Sequence, residues 1–383
     1  MFGPKFIATV FALATSISPA LSAPSFEHGI KPRAVTYKPV SAKAIFIPPE
    51  DYNTPKTLYA RSVQLDDGTL LATWEIYAPG PPLVGFPIYQ STDGGSTWAA
   101  HGLVTDKVNG WGMRYQPFLY VLPKALGKLA KGTILLAGNS IPENLSRTKI
   151  DIYASTNGGT DWDFVSSVAS GGEAKPSNGP TPVWEPFLMM YGDHLVVYYS
   201  DQSDPEHGQK LCHKTSPDGV NWGPVVNDVA YPDYDRRPGM ATIAEFKGHY
   251  ILTYENVGGD SPSGTEYPIY YRISDNPLKF DTAPEHMLQA GEDYPSSSPT
   301  VTWSSAGGEH GTIIVSADSH SDIFINTNLG DPLGWVKYAS PQDSAYSREV
   351  RVLSDPEWLL IIGAGVLNGN NFVSNSILKL PNL

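Results

Sequence analysis

Two glutamates have neighbours that give their carboxyl groups different chemical settings. Glu185 lies in the segment 183–187, Val-Trp-Glu-Pro-Phe, where an apolar neighbourhood disfavours the charged carboxylate and raises its pKa. Glu255 lies in the segment 252–256, Leu-Thr-Tyr-Glu-Asn, where a phenol and an amide can hydrogen-bond the ionised form. The first setting suits a general acid and the second a nucleophile, although the sequence leaves the roles exchangeable. A structural carboxylate paired with an arginine is the alternative for either residue.

Other polar and aromatic side chains interrupt apolar segments at regular places. At the starts of predicted first strands and the ends of the second strands stand Arg61, Gln116, Trp184, Glu185, Arg237, Tyr346, Arg348, Glu75, Asn139, Asp201, Glu255 and Asp318. A pocket rich in carboxylates, arginines and aromatic rings suits a sugar, because hydroxyl groups need many donors and acceptors and ring faces stack on aromatic side chains. Glycoside hydrolases use two carboxyl groups that flank the glycosidic bond to be cleaved.

A repeated turn motif indicates the elements that must position these residues. The pattern Ser-Thr-Asp-Gly-Gly-Ser-Thr-Trp at 91–98 recurs at 155–162 and 216–222, with degenerate copies at 274–280 and 326–335. Each fits the Asp-box, in which an Asp or Asn oxygen accepts turn amides and an aromatic residue packs beneath the hairpin. The closing aromatic residues are 55 to 64 residues apart, a period typical of propeller blades.

Each repeat contains four short apolar segments bounded by turns. In the first unit they are 57–65, 69–77, 86–92 and 98–104, and further units begin near residues 115, 184, 239 and 298. A last unit from about residue 347 has three strands, and 43–48 can supply the fourth. The prediction is an all-β, six-bladed β-propeller with Asp-box turns, its ring closed by the N-terminal strand. An open solenoid or a five-bladed ring is the structural alternative.

Strand direction in such a blade predicts where the polar residues meet. Because neighbouring strands are antiparallel, the start of the first strand and the end of the second lie on one face. The Asp-boxes follow the third strand and therefore lie on the other face. We expect the polar set to converge on one mouth of the central channel.

Composition limits the partners and the compartment. The net charge of −13 on 383 residues disfavours nucleic acid and anionic membranes. Residues 1–23 resemble a secretory signal peptide, so 24–383 is predicted to be a single catalytic domain, secreted, extracellular and monomeric. The single cysteine, Cys212, excludes an intramolecular disulfide. The segment from Asp318 to Asp322 is interpreted as a polar loop, and no metal or cofactor is expected.

Several motifs together resemble the secreted exo-1,5-α-L-arabinanases of glycoside hydrolase family 93. They are the Asp-boxes and the segments Tyr-Ala-Arg-Ser at 59–62, Trp-Glu-Pro-Phe at 184–187, Arg-Pro-Gly-Met at 237–240, Tyr-Glu-Asn at 254–256 and Tyr-Ser-Arg at 346–348. The resemblance implies a sialidase-like six-bladed propeller. It also implies retaining release of arabinobiose from the non-reducing end of linear α-1,5-arabinan, a side chain of pectin.

The same resemblance implies a set of functional residues. Glu185 and Glu255 are implied as the catalytic pair and Tyr346 as a pocket tyrosine. The substrate-binding residues are then expected to be Arg61, Glu75, Gln116, Trp184, Asp201, Arg237, Asp318 and Arg348.

Two other functions remain open at the level of sequence. Arg61, Arg237 and Arg348 are the candidates for the carboxylate-binding triad of a sialidase, with Tyr346 as nucleophile. That family follows its first arginine with Ile-Pro, whereas Arg61 is followed by Ser-Val. A sugar-binding propeller lectin is the second alternative, but a lectin repeats its site in each blade and the candidate residues here differ between blades.

Overall fold

The computed structural model describes residues 35–259 and 265–381. Within these residues the chain forms 24 β-strands and no α-helix. No helix long and apolar enough to cross a membrane occurs in this part of the chain. The predicted signal peptide, residues 1–23, lies outside the described residues.

The strands form six antiparallel sheets of four strands each, called blades 1 to 6. Blade 1 consists of β2 (Thr57–Gln64), β3 (Leu70–Ile76), β4 (Phe86–Ser91) and β5 (Ala99–Val104). Blade 2 consists of β6 (Met113–Val121), β7 (Ile134–Ser140), β8 (Thr148–Ser155) and β9 (Asp163–Gly171). Blade 3 consists of β10 (Val183–Tyr191), β11 (His194–Asp201), β12 (Lys210–Ser216) and β13 (Val226–Val229).

Blades 4 to 6 continue the same order. Blade 4 consists of β14 (Arg237–Phe246), β15 (His249–Val257), β16 (Ile269–Ser274) and β17 (Glu285–Met287), and blade 5 of β18 (Thr300–Ser304), β19 (Thr312–Ser316), β20 (Ile323–Asn326) and β21 (Trp335–Tyr338). Blade 6 consists of β22 (Glu349–Val352), β23 (Trp358–Gly363), β24 (Val373–Lys379) and the N-terminal strand β1 (Val40–Phe46). β1 pairs with β24.

The first strands of the six blades surround a central channel. Each contacts the first strand of the next blade, in the order β2, β6, β10, β14, β18, β22 and back to β2. The predicted all-β, six-bladed propeller is therefore confirmed. The hydrophobic core lies between neighbouring blades: Phe118 and Leu135 of blade 2, for example, pack with Leu188 and Val197 of blade 3. The inner strands are buried on both faces for this reason.

The turns with the Asp-box motif follow the third strand of the blade, on the face opposite the starts of the first strands. In blade 1, Asp93 Oδ1 accepts a hydrogen bond from the Thr97 amide at 2.8 Å. In blade 3, Asp218 Oδ1 accepts from the amides of Val220 at 2.9 Å and Asn221 at 2.7 Å. These carboxylates are engaged by their own turns, as expected for residues that stabilise the fold.

The closing tryptophan of the second box allows a test of this packing. Trp162 is 2% exposed and its indole donates to the Gly159 carbonyl at 3.0 Å. We expect Trp162→Ala to lower the free energy of unfolding by about 3–5 kcal/mol, measured by denaturant titration. The equivalent Trp98 is only half-buried, so Trp98→Ala should cost less. Equal losses in the two variants would contradict a packing role that depends on burial.

Candidate active site

Each blade has a residue with left-handed backbone near the start of its first strand whose φ lies between +46° and +61°. These residues are Tyr59, Gln116, Glu185, Met240, Ser298 and Ser347, and blade 5 has a second one, Ser297, at +65°. In blades 1 to 4 the pairing with the second strand slips at this residue, for example between Trp184 and Phe187 in blade 3. The chain therefore forms a β-bulge at the channel mouth, which removes backbone N–H groups from the sheet ladder.

The freed N–H groups connect each blade to the one before it. The five donor–acceptor pairs are Gln116 N to Glu75 Oε1 (2.8 Å), Glu185 N to Gln116 Oε1 (3.0 Å), Met240 N to Glu185 Oε2 (2.7 Å), Ser298 N to Glu255 Oε2 (2.7 Å) and Ser347 N to Ser298 Oγ (2.9 Å).

The sixth junction is closed by a side chain. Arg61 of blade 1 donates to the carbonyl oxygen and to the hydroxyl of Ser347 in blade 6, both at 2.7 Å. We call these six inter-blade links the mouth ring. The ring includes both candidate catalytic carboxylates, so their positions depend on the backbone of the neighbouring blades.

The carboxyl groups of Glu185 and Glu255 face each other across Gly239. A Cβ atom built on Gly239 would lie 3.7 Å from Glu185 Oε2 and 3.7 Å from Glu255 Oε1. The two oxygens are therefore no farther apart than twice this distance. The atom nearest to that position is Gln209 Nε2, at 2.7 Å, so the Gln209 amide lies beside the same two carboxyl groups.

Glu185 has hydrogen-bond donors that stabilise its ionised form. Its Oε2 accepts from Ser200 Oγ at 2.6 Å and from the Met240 amide at 2.7 Å. Burial raises the pKa of Glu185, whereas these two hydrogen bonds and the nearby Arg237 and Arg61 lower it. The two donors hold one carboxylate oxygen in place.

Glu255 is held less firmly in its charged form. Its Oε2 accepts from the Ser298 amide at 2.7 Å. Burial, followed by the negative charge of Glu185, raises the pKa of Glu255 to about 7, although hydrogen bonds from Ser298 and Ser297 oppose the rise. A carboxyl group with this pKa exchanges a proton readily near neutral pH.

A third carboxyl group, Glu75, completes the acidic part of the pocket. It is 3% exposed, and its two oxygens accept from the Gln116 amide and from the Tyr77 hydroxyl, the latter at 2.7 Å. Burial raises the pKa of Glu75 to about 7. Gln116 in turn accepts from Asn139 Nδ2 at 2.7 Å, so the structure brings these predicted site residues together.

Tyr346 lies beside the same carboxyl groups and packs near Tyr59, with ring centroids 6.3 Å apart. Burial and then the charges of Glu255 and Glu185 raise the pKa of Tyr346 well above its usual value. The phenol is therefore protonated and can donate a hydrogen bond, but it is a poor nucleophile.

The three predicted arginines do not form a triad. Arg61 is occupied by the mouth ring. Arg348 is fully buried, and its donors reach Ser316 Oγ and the carbonyl oxygens of Ser321, Asp322, Gln342 and Asp343. The structure gives no support to the expectation that Arg348 binds substrate, because its guanidinium is engaged by these loops. The sialidase alternative loses its main support.

Among the described residues, Arg237 makes fewer hydrogen bonds than Arg61 or Arg348, although Arg61 Nε is also unpaired. Arg237 Nη2 lies 3.4 Å from Gln209 Oε1, and Arg237 Nε has no partner among the described residues. Burial lowers the pKa of Arg237, whereas Glu185 and Glu255 are among the groups that raise it. Arg237 is therefore available to bind an electronegative group of a substrate.

Two further predicted residues are engaged by neighbours of their own. Trp184 is 6% exposed, and its indole donates to Gln202 Oε1 at 2.8 Å, so the ring packs in the interior and does not offer a face to a sugar. Asp201 accepts from the amide and hydroxyl of Ser203 and does not reach Glu185. Ser200, one position earlier, reaches Glu185, because successive residues of a strand face opposite sides of the sheet.

Sequence reasoning missed Ser200 and Gln209. The hairpins of the first two strands in blades 3 and 4 have equal lengths. When the two blades are aligned with Glu185 at the position of Met240, Ser200 takes the position of Glu255. That alignment is the signal that would have identified Ser200. Gln209 follows a loop, and nothing in its local sequence indicates the contact with Arg237.

The segment with alternating potential ligands holds no metal cluster. The Asp318 amide donates a hydrogen bond to the Ser297 carbonyl at 3.0 Å. Burial raises the pKa of the Asp318 carboxyl group. Its Oδ1 has no hydrogen-bond partner in the described chain. Residues 35–259 and 265–381 contain no group of three or more His, Cys, Asp or Glu side chains suited to hold a metal ion.

Searches of protein-family models and of curated proteins gave no match. Among solved structures, the glycoside hydrolase family 93 α-L-arabinofuranosidase of Fusarium graminearum, in complex with arabinobiose, is 49% identical, covering 89% of this chain and 98% of that one (TM-score 0.87). The α-L-arabinanase of Penicillium chrysogenum, complexed with arabinobiose, is 48% identical over 90% and 99% of the two chains (TM-score 0.87).

The NanB sialidase of Streptococcus pneumoniae shares only the fold, at 11% identity over 90% of this chain and 71% of that one, with a TM-score of 0.59. The resemblance inferred from the sequence motifs is confirmed by the first two structures. Because about half of its residues are identical over nearly the whole Fusarium chain, this chain belongs to glycoside hydrolase family 93 and is a glycoside hydrolase.

Proposed function

We propose that this enzyme is a secreted, monomeric, retaining exo-arabinanase that releases arabinobiose from the non-reducing end of linear α-1,5-L-arabinan in pectin. The observation that carries the proposal is the pair of carboxyl groups beside Gly239: burial raises the pKa of both, to about 7 for Glu255, and two hydrogen bonds and two arginines oppose the rise at Glu185. The arabinobiose complexes of the Fusarium and Penicillium enzymes support the substrate. Secretion rests on the signal peptide at residues 1–23.

The upper limit on the distance between the carboxyl oxygens is compatible with a retaining mechanism. Retaining glycosidases place their two carboxyl groups about 5–5.5 Å apart, and inverting enzymes about 6.5–9.5 Å. The limit of twice 3.7 Å between Glu185 Oε2 and Glu255 Oε1 admits the retaining separation and excludes the wide end of the inverting range.

The two roles are assigned in the order opposite to the sequence-based expectation. Glu185 has two donors on one oxygen and two arginines nearby, so it loses its proton first. The charge of Glu185 then helps to keep the proton on Glu255. Glu185 is therefore the nucleophile and Glu255 the general acid and base.

The reaction then proceeds in two steps. Glu185 attacks the anomeric carbon while Glu255 gives its proton to the leaving glycosidic oxygen, so the bond to the leaving sugar breaks and a glycosyl ester forms on Glu185. Glu255, now ionised, takes a proton from water. The resulting hydroxide attacks the anomeric carbon and releases Glu185, and configuration is retained overall.

Other pocket residues bind and orient the sugar. Glu75 and Tyr77 present hydrogen-bonding groups on the blade 1 side, and Arg237 offers unpaired donors beside both catalytic carboxylates. Tyr346 supplies a protonated phenol near the same two groups. Gln116 and Asp318 orient the neighbouring backbone and contribute polar atoms at the mouth.

Digestion of linear arabinan tests the proposal as a whole. We expect arabinobiose as the only early product by chromatography, with the α-anomer appearing first by NMR before mutarotation. Debranched arabinan should be cleaved faster than branched arabinan. Early formation of a ladder of longer oligomers would contradict exo action, and early β-anomer would contradict retention.

Chemical rescue tests the two roles. Glu255→Ala, assayed on an arabinobioside with a leaving group that needs no protonation, should form the glycosyl-enzyme and then be accelerated by azide to a product of retained configuration. Glu185→Ala should form no such intermediate. Both variants should lose roughly 10² to 10⁴ in activity on arabinan. A retained azide product from Glu185→Ala would reverse the assignment.

The hydrogen bond from Ser200 predicts a shift in pH dependence. Glu185 must be ionised to attack, so activity falls as the pH drops through its pKa. Ser200→Ala removes a stabilising donor and raises that pKa, so the acid limb of kcat/KM should move to higher pH. At neutral pH we expect a loss of about tenfold or more. Asp201→Asn, on the other side of the strand, is the control and should leave the acid limb unchanged.

A further inference from the structure

Two exposed tyrosines stand on the same side of the channel mouth as Glu255. Tyr234 lies on the loop between β13 and β14, and Tyr267 lies on the loop between β15 and β16. Their side chains are 42% and 39% exposed. Both loops leave their strands on the face that carries the catalytic pair.

Backbone contacts hold Tyr267 next to the general acid. The Ser297 amide donates to the Tyr267 carbonyl at 2.8 Å, and the following residue, Ser298, donates to Glu255 Oε2 at 2.7 Å. Two consecutive residues thus connect the Tyr267 backbone and the Glu255 carboxyl group.

Tyr234 is also held close to Arg237. A side chain at Gly208 would collide with the Tyr234 carbonyl oxygen, so only glycine permits this approach. The next residue, Gln209, contacts Arg237. Burial lowers the pKa of Arg237. Tyr267, Tyr234, Glu185 and Glu255 each raise it. Arg237 is therefore close to both tyrosines and to both catalytic carboxyl groups.

The role of Glu255 gives the bound chain a direction. A general acid protonates the leaving oxygen, so the sugar units beyond the cleaved bond lie on its side of the pocket. Glu75 and Tyr77 occupy blade 1, which is three blades away from blade 4 around the ring and so faces it across the channel. The leaving chain must therefore run over blade 4, where Tyr234 and Tyr267 are exposed.

We propose that Tyr234 and Tyr267 form a platform that binds the arabinose units on the leaving side of the cleaved bond. This inference rests on the proposed function. Tyrosine suits this purpose, because its ring packs against the C–H face of a sugar at little cost in side-chain entropy and its hydroxyl remains in water.

Kinetics on two substrates test the platform. Arabinobiosyl fluoride has a single atom as its leaving group, whereas linear arabinan extends over the platform. Tyr234→Ala and Tyr267→Ala should each raise KM for arabinan about threefold to tenfold and leave kinetics on the fluoride unchanged. Tyr→Phe at each position keeps the ring and should retain most of the affinity. Leu333→Ala, at a 97% exposed residue on the opposite face, is the matched surface control.

The outcomes separate the platform from the proposed function. Unchanged KM for arabinan in the double alanine variant, with normal activity on the fluoride, would overturn the platform alone. An equal rise in KM on both substrates would also overturn it, because the tyrosines would then act on the pocket. Failure of the unmodified enzyme to cleave either substrate would refute the proposed function, and the platform with it.

Discussion

The mouth ring is the interaction on which the active site depends. Six left-handed residues, one per blade, remove N–H groups from the inner strands, and five of these groups donate to a side chain of the preceding blade. Left-handed backbone is costly for non-glycine residues and persists only where the surroundings compensate for it. Here the compensation is the set of inter-blade hydrogen bonds. The hydrogen bonds that join neighbouring blades at the mouth are therefore the same ones that hold the catalytic carboxyl groups in place.

The same links make two similar glutamates chemically different. Glu185 is itself a bulge residue and receives the amide of Met240 and the hydroxyl of Ser200 on one oxygen. Glu255 ends a second strand and receives the amide of Ser298. Both groups are buried together, so the carboxyl group with more donors ionises first and its charge keeps a proton on the other. This asymmetry supplies the carboxylate and the acid that retaining hydrolysis requires.

Sequence periodicity predicted the fold closely, because turns and alternating burial are local properties. The four segments expected for blade 1 match β2 to β5 within one or two residues at each end. The site was harder to predict where a contact crosses between blades or depends on strand register. Asp201 was selected in place of Ser200, and Trp184 and Arg348 were expected at the pocket although both are buried in packing. Local neighbours suggested an acid at Glu185, whereas its donors come from Ser200 and the next blade.

Covalent labelling measures the central claim most directly. Arabinobiosyl fluoride with a second fluorine at C2 forms a glycosyl ester that breaks down slowly, since the added fluorine destabilises the charged transition state. The account predicts that mass spectrometry of the digested protein finds the sugar on the peptide that contains Glu185. A label on Glu255 or Tyr346 would contradict the assignment of the nucleophile, and an inverted product with no covalent adduct would contradict the two-step mechanism.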